Sequence, residues 1–236
     1  MGAKCLGITG GEPLVRNDIG QILEYVKGKG FKICLGTNTD FFEKYRKYIF
    51  RCVDAIGIPL ESTEHKIHDS LRGKNSLKNI KMALEDILEN SNLRVFITTV
   101  LTNKNYNEIE KIERFLLRFK DRLIFWKIYE LIDYRGRKNQ KITNLKTDVV
   151  GKDLKNIGNL LGKNKVFYRP ALKRNRVYFL INSDGDVIVP RESKGKTEDL
   201  IIGNMLNDDY EKILSRWREE TNLKEYRCHL CALKFI

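Results

Sequence analysis

Apolar positions over the first two-thirds of the chain alternate between two spacings. Short apolar runs of strand length predict strands over Cys5–Thr9, Phe31–Leu35, Val53–Leu60, Leu93–Leu101 and Leu123–Ile132. Between them, apolar residues recur three and four apart and predict helices over Asn17–Gly30, Phe41–Ile49, Ser76–Leu88 and Asn107–Phe119. The first helix gathers Ile19, Ile22, Leu23 and Val26 on one face. The third gathers Ile80, Ala83, Leu84 and Ile87, with Ser76 placed to cap it. Strands apolar on both faces, each followed by a helix, imply an α/β fold with a parallel sheet covered by helices, a (β/α) barrel or part of one. The pattern changes after Tyr134. Residues 135–146 are polar, Asp153–Leu161 has helical spacing, and strand-like runs follow at Val166–Phe167, Arg176–Asn182 and Val187–Val189. Ser183-Asp184-Gly185 turns the last two runs into a hairpin, and a final helix is predicted over Asp208–Glu220. Residues 1–140 are thus expected to form the partial barrel and residues 141–236 a small α+β extension.

The 236 residues are 42% hydrophobic, enough to bury a core. No apolar run reaches the roughly 18 residues a membrane helix needs, and no leader-like segment opens the chain, so a cytoplasmic protein is expected, with no membrane partner. The 44 Lys and Arg outnumber the 31 Asp and Glu, for a net charge of +13. That excess is read either as a surface for nucleic acid or an anionic substrate, or as lysines scattered over solvated helix faces. The scatter favours solvated faces. Five cysteines are too few, and odd in number, for a disulfide scaffold. Cys5, Cys34 and Cys52 sit in or beside apolar runs and behave as small buried hydrophobes. Cys228 and Cys231 make the one Cys-x-x-Cys pair.

The densest chemistry is at Gly7-Ile8-Thr9-Gly10-Gly11-Glu12-Pro13-Leu14. Two glycines let the backbone turn sharply and come close to a ligand, and the proline sets the next turn. This is a binding loop at the C-terminal end of a strand, where α/β folds place their ligands.

Gly10-Gly11-Glu12-Pro13 resembles the motif by which the radical S-adenosylmethionine (radical SAM) superfamily binds the amino group of S-adenosylmethionine. Further segments follow in the family's order. Thr37-Asn38-Thr39 is similar to the Thr-Asn-Gly closing its third strand, and Ile58-Pro59-Leu60-Glu61-Ser62 to the Ser-Leu-Asp-Gly closing its fourth. His68-Asp69 with Leu71-Arg72-Gly73 is similar to the loop that follows, and 98–105 to the fifth strand and its Asn. Trp126-Lys127-Ile128-Tyr129-Glu130 with Arg135-Gly136-Arg137 is similar to the sixth. Asp184-Gly185-Asp186-Val187, Ile202-Gly203-Asn204, Trp217 and Cys228-His229-Leu230-Cys231 resemble the SPASM or twitch extension.

The resemblance implies a partial TIM-like barrel lacking its first βα unit. It also implies reductive cleavage of S-adenosylmethionine to a 5′-deoxyadenosyl radical that abstracts hydrogen from a small-molecule or peptide substrate. A [4Fe–4S] cluster is the implied cofactor, and a ferredoxin or flavodoxin the implied reductant. Gly10, Gly11, Glu12, Pro13, Thr37, Asn38, Glu61 and Glu130 are the implied S-adenosylmethionine contacts, and Lys127 and Arg137 would face the pocket. Each of these charges also reads as an ordinary turn or surface charge. Two departures qualify the picture. The family's Cys-x-x-x-Cys-x-x-Cys triplet should precede Gly10, where this chain has no room for it, so the ligands of the implied cluster are expected outside the chain. In the extension, Arg191 stands where relatives carry a cysteine. Cys228 and Cys231 could ligate iron or zinc, but two thiolates cannot complete a tetrahedral site. His65 and His68, three apart, suit a turn-forming loop better than a metal site. A cluster-free S-adenosylmethionine- or peptide-binding descendant, and a basic nucleic-acid-binding protein, remain as alternatives. A missing first strand would leave a sheet edge unpaired and lower solubility.

Overall fold

The structure, a computed structural model, describes residues 4–131, 157–169, 179–193 and 196–222. It divides into two compact units. The first is built on six parallel strands in sequential order: β1 (Cys5–Ile8), β2 (Lys32–Gly36), β3 (Ala55–Pro59), β4 (Arg94–Leu101), β5 (Leu123–Glu130) and β6 (Val166–Arg169). Helices α1 (Ile19–Gly28), α2 (Phe42–Cys52), α3 (His65–Arg72), α4 (Ser76–Asn90) and α5 (Ile109–Leu116) connect the first five. The result is an open sheet of an incomplete (β/α) barrel: β1 and β6 share no edge.

Strand register assigns each residue to a face, because side chains alternate with period two. Ile8, Ile33, Leu35, Ile56, Ile58, Val95, Ile97, Trp126, Ile128 and Val166 join the helices in one hydrophobic cluster. The opposite face differs across its width. On β1 to β3 it carries Gly7, Cys34, Gly36, Ala55 and Gly57. On β4 to β6 it carries Phe96, Phe125, Lys127, Phe167 and Arg169. Gly57 leaves room for the Phe96 ring, which a Cβ there would meet at 2.2 Å. The Phe96 and Phe125 rings lie 5.2 Å apart, and Phe125 and Phe167 meet edge to face at 6.2 Å.

Several elements differ from the sequence expectation. Residues 65–72, expected as a loop, form α3, whose buried His68 anchors it. Ser76 does not cap α4: it is the first helical residue, after Asn75 in a left-handed conformation. The cap comes from α3, where Asp69 accepts the Asn75 and Leu77 N–H groups, each at 3.0 Å. Val166–Phe167, placed by periodicity in the C-terminal extension, belongs to β6 and pairs in parallel with β5. The second unit is a three-stranded antiparallel sheet, β7 (Leu180–Ile181), β8 (Asp186–Ser193) and β9 (Lys196–Asn204), with helix α6 (Tyr210–Thr221). Its core is Val187, Val189, Ile202, Ile213 and Trp217.

Candidate functional site

β1 ends at Ile8, and the chain turns through Gly10 at φ 126°, a conformation side chains resist. Gly10 and Gly11 are exposed, with open space where a Cβ would stand. Pro13 opens a single helical turn over Pro13–Val15, and Glu12 caps it: Oε1 accepts the Leu14 N–H at 3.0 Å. The same carboxylate reaches the end of β2. Thr37 Oγ1 donates to Oε1 at 2.7 Å, and the Asn38 N–H donates to Oε2 at 2.6 Å. Gly10, Gly11, Glu12, Pro13, Thr37 and Asn38 are therefore brought together, with Glu12 as the tie. The side chain of Asn38 is held in turn by Asp40, through Nδ2 to Oδ2 at 2.9 Å and the Asp40 N–H to Oδ1 at 3.0 Å. Thr39 follows at φ 71°. A β-branched residue is strained there, and its buried hydroxyl finds no hydrogen-bond partner among the described residues.

Glu61, after β3, is buried in a separate network. Arg72 Nε donates to Oε1 at 2.8 Å and its Nη2 to the same oxygen, while the Val100 N–H donates to Oε2 at 2.7 Å. Asn105 Nδ2 donates to the carbonyls of Glu61 at 2.9 Å and Val100 at 3.0 Å. The Glu61 N–H donates to Nδ1 of His68 at 3.1 Å, which leaves the His68 Nε2–H for Ser76 Oγ at 3.3 Å. Burial pushes the Glu61 carboxyl up, against the pull of Arg72 and the Val100 N–H. Burial, with Arg72 beside it, pushes His68 down to about 4. His68 is thus committed to the loop after β3. His65, 3.8 Å from Asp69, lies exposed on the same helix.

Glu130 ends β5, opposite Leu101 on β4. Burial and the Glu130 charge raise the phenol of Tyr168 on β6, whose buried oxygen has no hydrogen-bond partner among the described residues. Lys127 is buried with its Nζ 4.5 Å from the centre of the Phe125 ring. The structure thus places the expected contacts at three strand ends: the Glu12 group, the Glu61 network and Glu130. Sequence reading missed Thr39's strain and the Glu61–Arg72 pair, whose partners are too far apart in the chain to leave a local signal. The thiols of Cys5 and Cys34 approach to 3.5 Å between β1 and β2, and Cys52 ends α2. Among the described residues no three His, Cys, Asp or Glu side chains converge as a metal site. Cys228, Cys231 and residues 135–137 lie outside the described residues.

The family model of the radical SAM superfamily matches residues 1–116. Residues 1–116 therefore carry a radical SAM superfamily domain. Among curated relatives, a probable GTP 3′,8-cyclase of Methanococcus maripaludis is 28% identical over 90 residues, covering 37% of this chain and 30% of its own. The AdoMet-dependent heme synthase of Methanosarcina barkeri is 26% identical over 113 residues, covering 47% and 32%. The chain spans about a third of the length of these curated relatives. In three dimensions it resembles Streptococcus suis SuiB bound to S-adenosylmethionine, with TM-score 0.62, 16% identity, and coverage of 98% of this chain and 60% of that one. SuiB bound to its precursor peptide SuiA gives TM-score 0.57 at 16% identity, over 77% and 47%. At such identity the likeness shows a shared fold.

Proposed function

We propose that the loop after β1 binds S-adenosylmethionine and that the chain serves radical SAM chemistry on a peptide or small-molecule substrate. The observation that carries this reading is the Glu12 carboxylate, fixed by three donors beside two exposed glycines. A carboxylate offers about four lone-pair sites, and three are filled here, two on Oε1 and one on Oε2. The remaining site on Oε2 suits an ammonium, which carries donors only. Gly10 and Gly11 leave their backbone approachable from the same loop. The fixed carboxylate orients the amino group without a rearrangement on binding. These residues fit S-adenosylmethionine.

The described thiols do not fit a [4Fe–4S] cluster. Cys5, Cys34 and Cys52 lie within strands and at a helix end, and do not converge with a third ligand. We therefore derive no step through the cluster. Its ligands, the SPASM-like role of the second unit, a ferredoxin- or flavodoxin-type reductant and a peptide substrate belong to the proposal. SuiB, solved with a precursor peptide, supports the peptide.

Isothermal titration of the chain with S-adenosylmethionine tests the site. Saturable binding is expected, weakened tenfold or more in Glu12→Gln, since a charge-assisted hydrogen bond contributes about 1.5–3 kcal/mol. Circular dichroism checks that the variant remains folded. Absence of binding by the unmodified chain, or equal affinity in a folded Glu12→Gln, overturns the reading. Anaerobic iron reconstitution followed by EPR separately tests whether this polypeptide holds a reducible cluster.

A further inference from the structure

The opposite end of the large sheet, where strands begin, carries a concentration of positive charge around a cavity. Arg94 opens β4, Asp121 and Arg122 precede β5, and Arg118 sits on the helical turn Leu117–Phe119 that follows α5. With Leu88 of α4 and Phe119, these residues line a cavity of about 530 Å³. Arg122 Nη1 donates to Asn92 Oδ1 at 2.7 Å, and Arg94 Nε donates to the Arg122 carbonyl at 3.4 Å. The neutral Asn92 amide fixes the Arg122 guanidinium without cancelling its charge. Arg118 is 3.6 Å from Glu85, with both side chains about half exposed, a pairing of little strength.

Lys165, at the start of β6, extends the group. Its ammonium donates to the carbonyls of Leu123 at 3.0 Å and of Lys120. Burial, then the charges of Arg94 and Lys120, hold it below the ordinary lysine value, against the opposing pull of Asp121. Repulsion among fixed cations is what a bound anion would relieve.

We propose that this cavity binds the phosphate or polyphosphate group of a small ligand. The planar forks of Arg94, Arg118 and Arg122 match phosphate oxygens in geometry as well as sign. The volume falls within the ~300–1,000 Å³ of small-ligand sites. A single-stranded nucleic acid would want open aromatic faces for stacking, and Phe119 is 1% exposed. The site does not depend on the S-adenosylmethionine reading, because Glu12 lies beyond the other end of the strands.

The test is titration calorimetry of the full chain with inorganic pyrophosphate at fixed ionic strength. Saturable binding is expected, weakened tenfold or more in Arg122→Gln and in Arg118→Gln. It should be unchanged in Arg16→Gln, an exposed arginine paired with Asp18 near the Glu12 loop. Arg118 is exposed, so its variant keeps the test valid should Arg122→Gln disturb the fold. Lack of saturable binding at millimolar pyrophosphate, affinity indifferent to a folded Arg118→Gln, or binding of single-stranded RNA alone would overturn the proposal.

Discussion

His68 shows how a single side chain sets the acid limb of stability in this fold. Its ring is fully buried, accepts the Glu61 N–H and faces Ser76, so a second proton has nowhere favourable to sit. The folded value of about 4 lies below the unfolded value of 6.5. The folded state therefore binds fewer protons. The stabilisation is complete above pH 6.5 and lost as pH falls toward 4, about 3 kcal/mol over the full span. Glu61 works the other way: its raised carboxyl favours the folded state as acid is added. Urea denaturation from pH 7 to pH 5 should show stability falling before ordinary carboxylates titrate. In His68→Asn, which cannot take a proton, that slope should flatten while stability at pH 7 drops. An unchanged slope would show that His68 does not govern this limb. Thr39 makes a second residue-scale test. Glycine there removes both the left-handed strain, about 1–2 kcal/mol, and the orphan hydroxyl, at about 0.5–1 kcal/mol of backbone entropy. Thr39→Gly is accordingly expected to raise the thermal midpoint; a lower midpoint would mean that the threonine makes contacts worth more than its strain.

Among the elements, β6 depends on one buried carboxylate from another part of the chain. Glu113 of α5 accepts the N–H groups of Gly158, Leu160 and Leu161 on a single oxygen, at 3.0, 3.0 and 3.1 Å. That grip fixes the turn leading into β6, and the Trp126 N–H then bonds the Lys165 carbonyl at 2.7 Å to start the strand pairing. Removing the acceptor leaves buried donors unpaired, each costing about 1–3 kcal/mol. Glu113→Ala should destabilise the fold by on the order of 3 kcal/mol, with Glu113→Gln costing less. Hydrogen exchange should accelerate first at Gly158, Leu160 and Leu161; exchange raised evenly over the whole sheet would contradict a local anchor. Here the limits of the sequence have a physical origin. β1 to β5, and the helices α1, α2, α4 and α5, were legible because each carries its own apolar period. β6 was legible as a strand-like run but not in its place, since a long polar stretch separates it from β5 and its pairing is a long-range fact. The α4 cap was misassigned because Asp69, seven residues before Ser76, does the capping from another helix. At the candidate site, the glycine loop and Glu12 were readable from their own residue types. The Glu61–Arg72–Val100 network was not, because a buried acid and a turn acid look alike in sequence.

For the whole molecule, charge and sheet topology pull in opposite directions. β1 lies at one end of the large sheet and, among the described residues, pairs with β2 alone. No described strand covers its outer edge, and Leu6 on it is 36% exposed. Such an edge invites pairing with another chain. Against this, a net charge of +13 makes two copies repel. Repulsion reaches about a Debye length, ~10 Å at 0.1 M salt and ~3 Å at 1 M, whereas strand pairing acts on contact and is barely screened. Raising salt should therefore unmask association in place of dissolving it, the reverse of a complex held by ion pairs. Sedimentation velocity under reducing conditions, which removes any contribution from half-exposed Cys5, should show a concentration-dependent shift to larger species as salt rises from 0.05 to about 0.5 M. Leu6→Lys puts a charge on the edge itself and should hold the chain monomeric across that range. If the unmodified chain stays monomeric at high salt, or associates to the same extent with lysine at position 6, the exposed edge of β1 is not where copies meet.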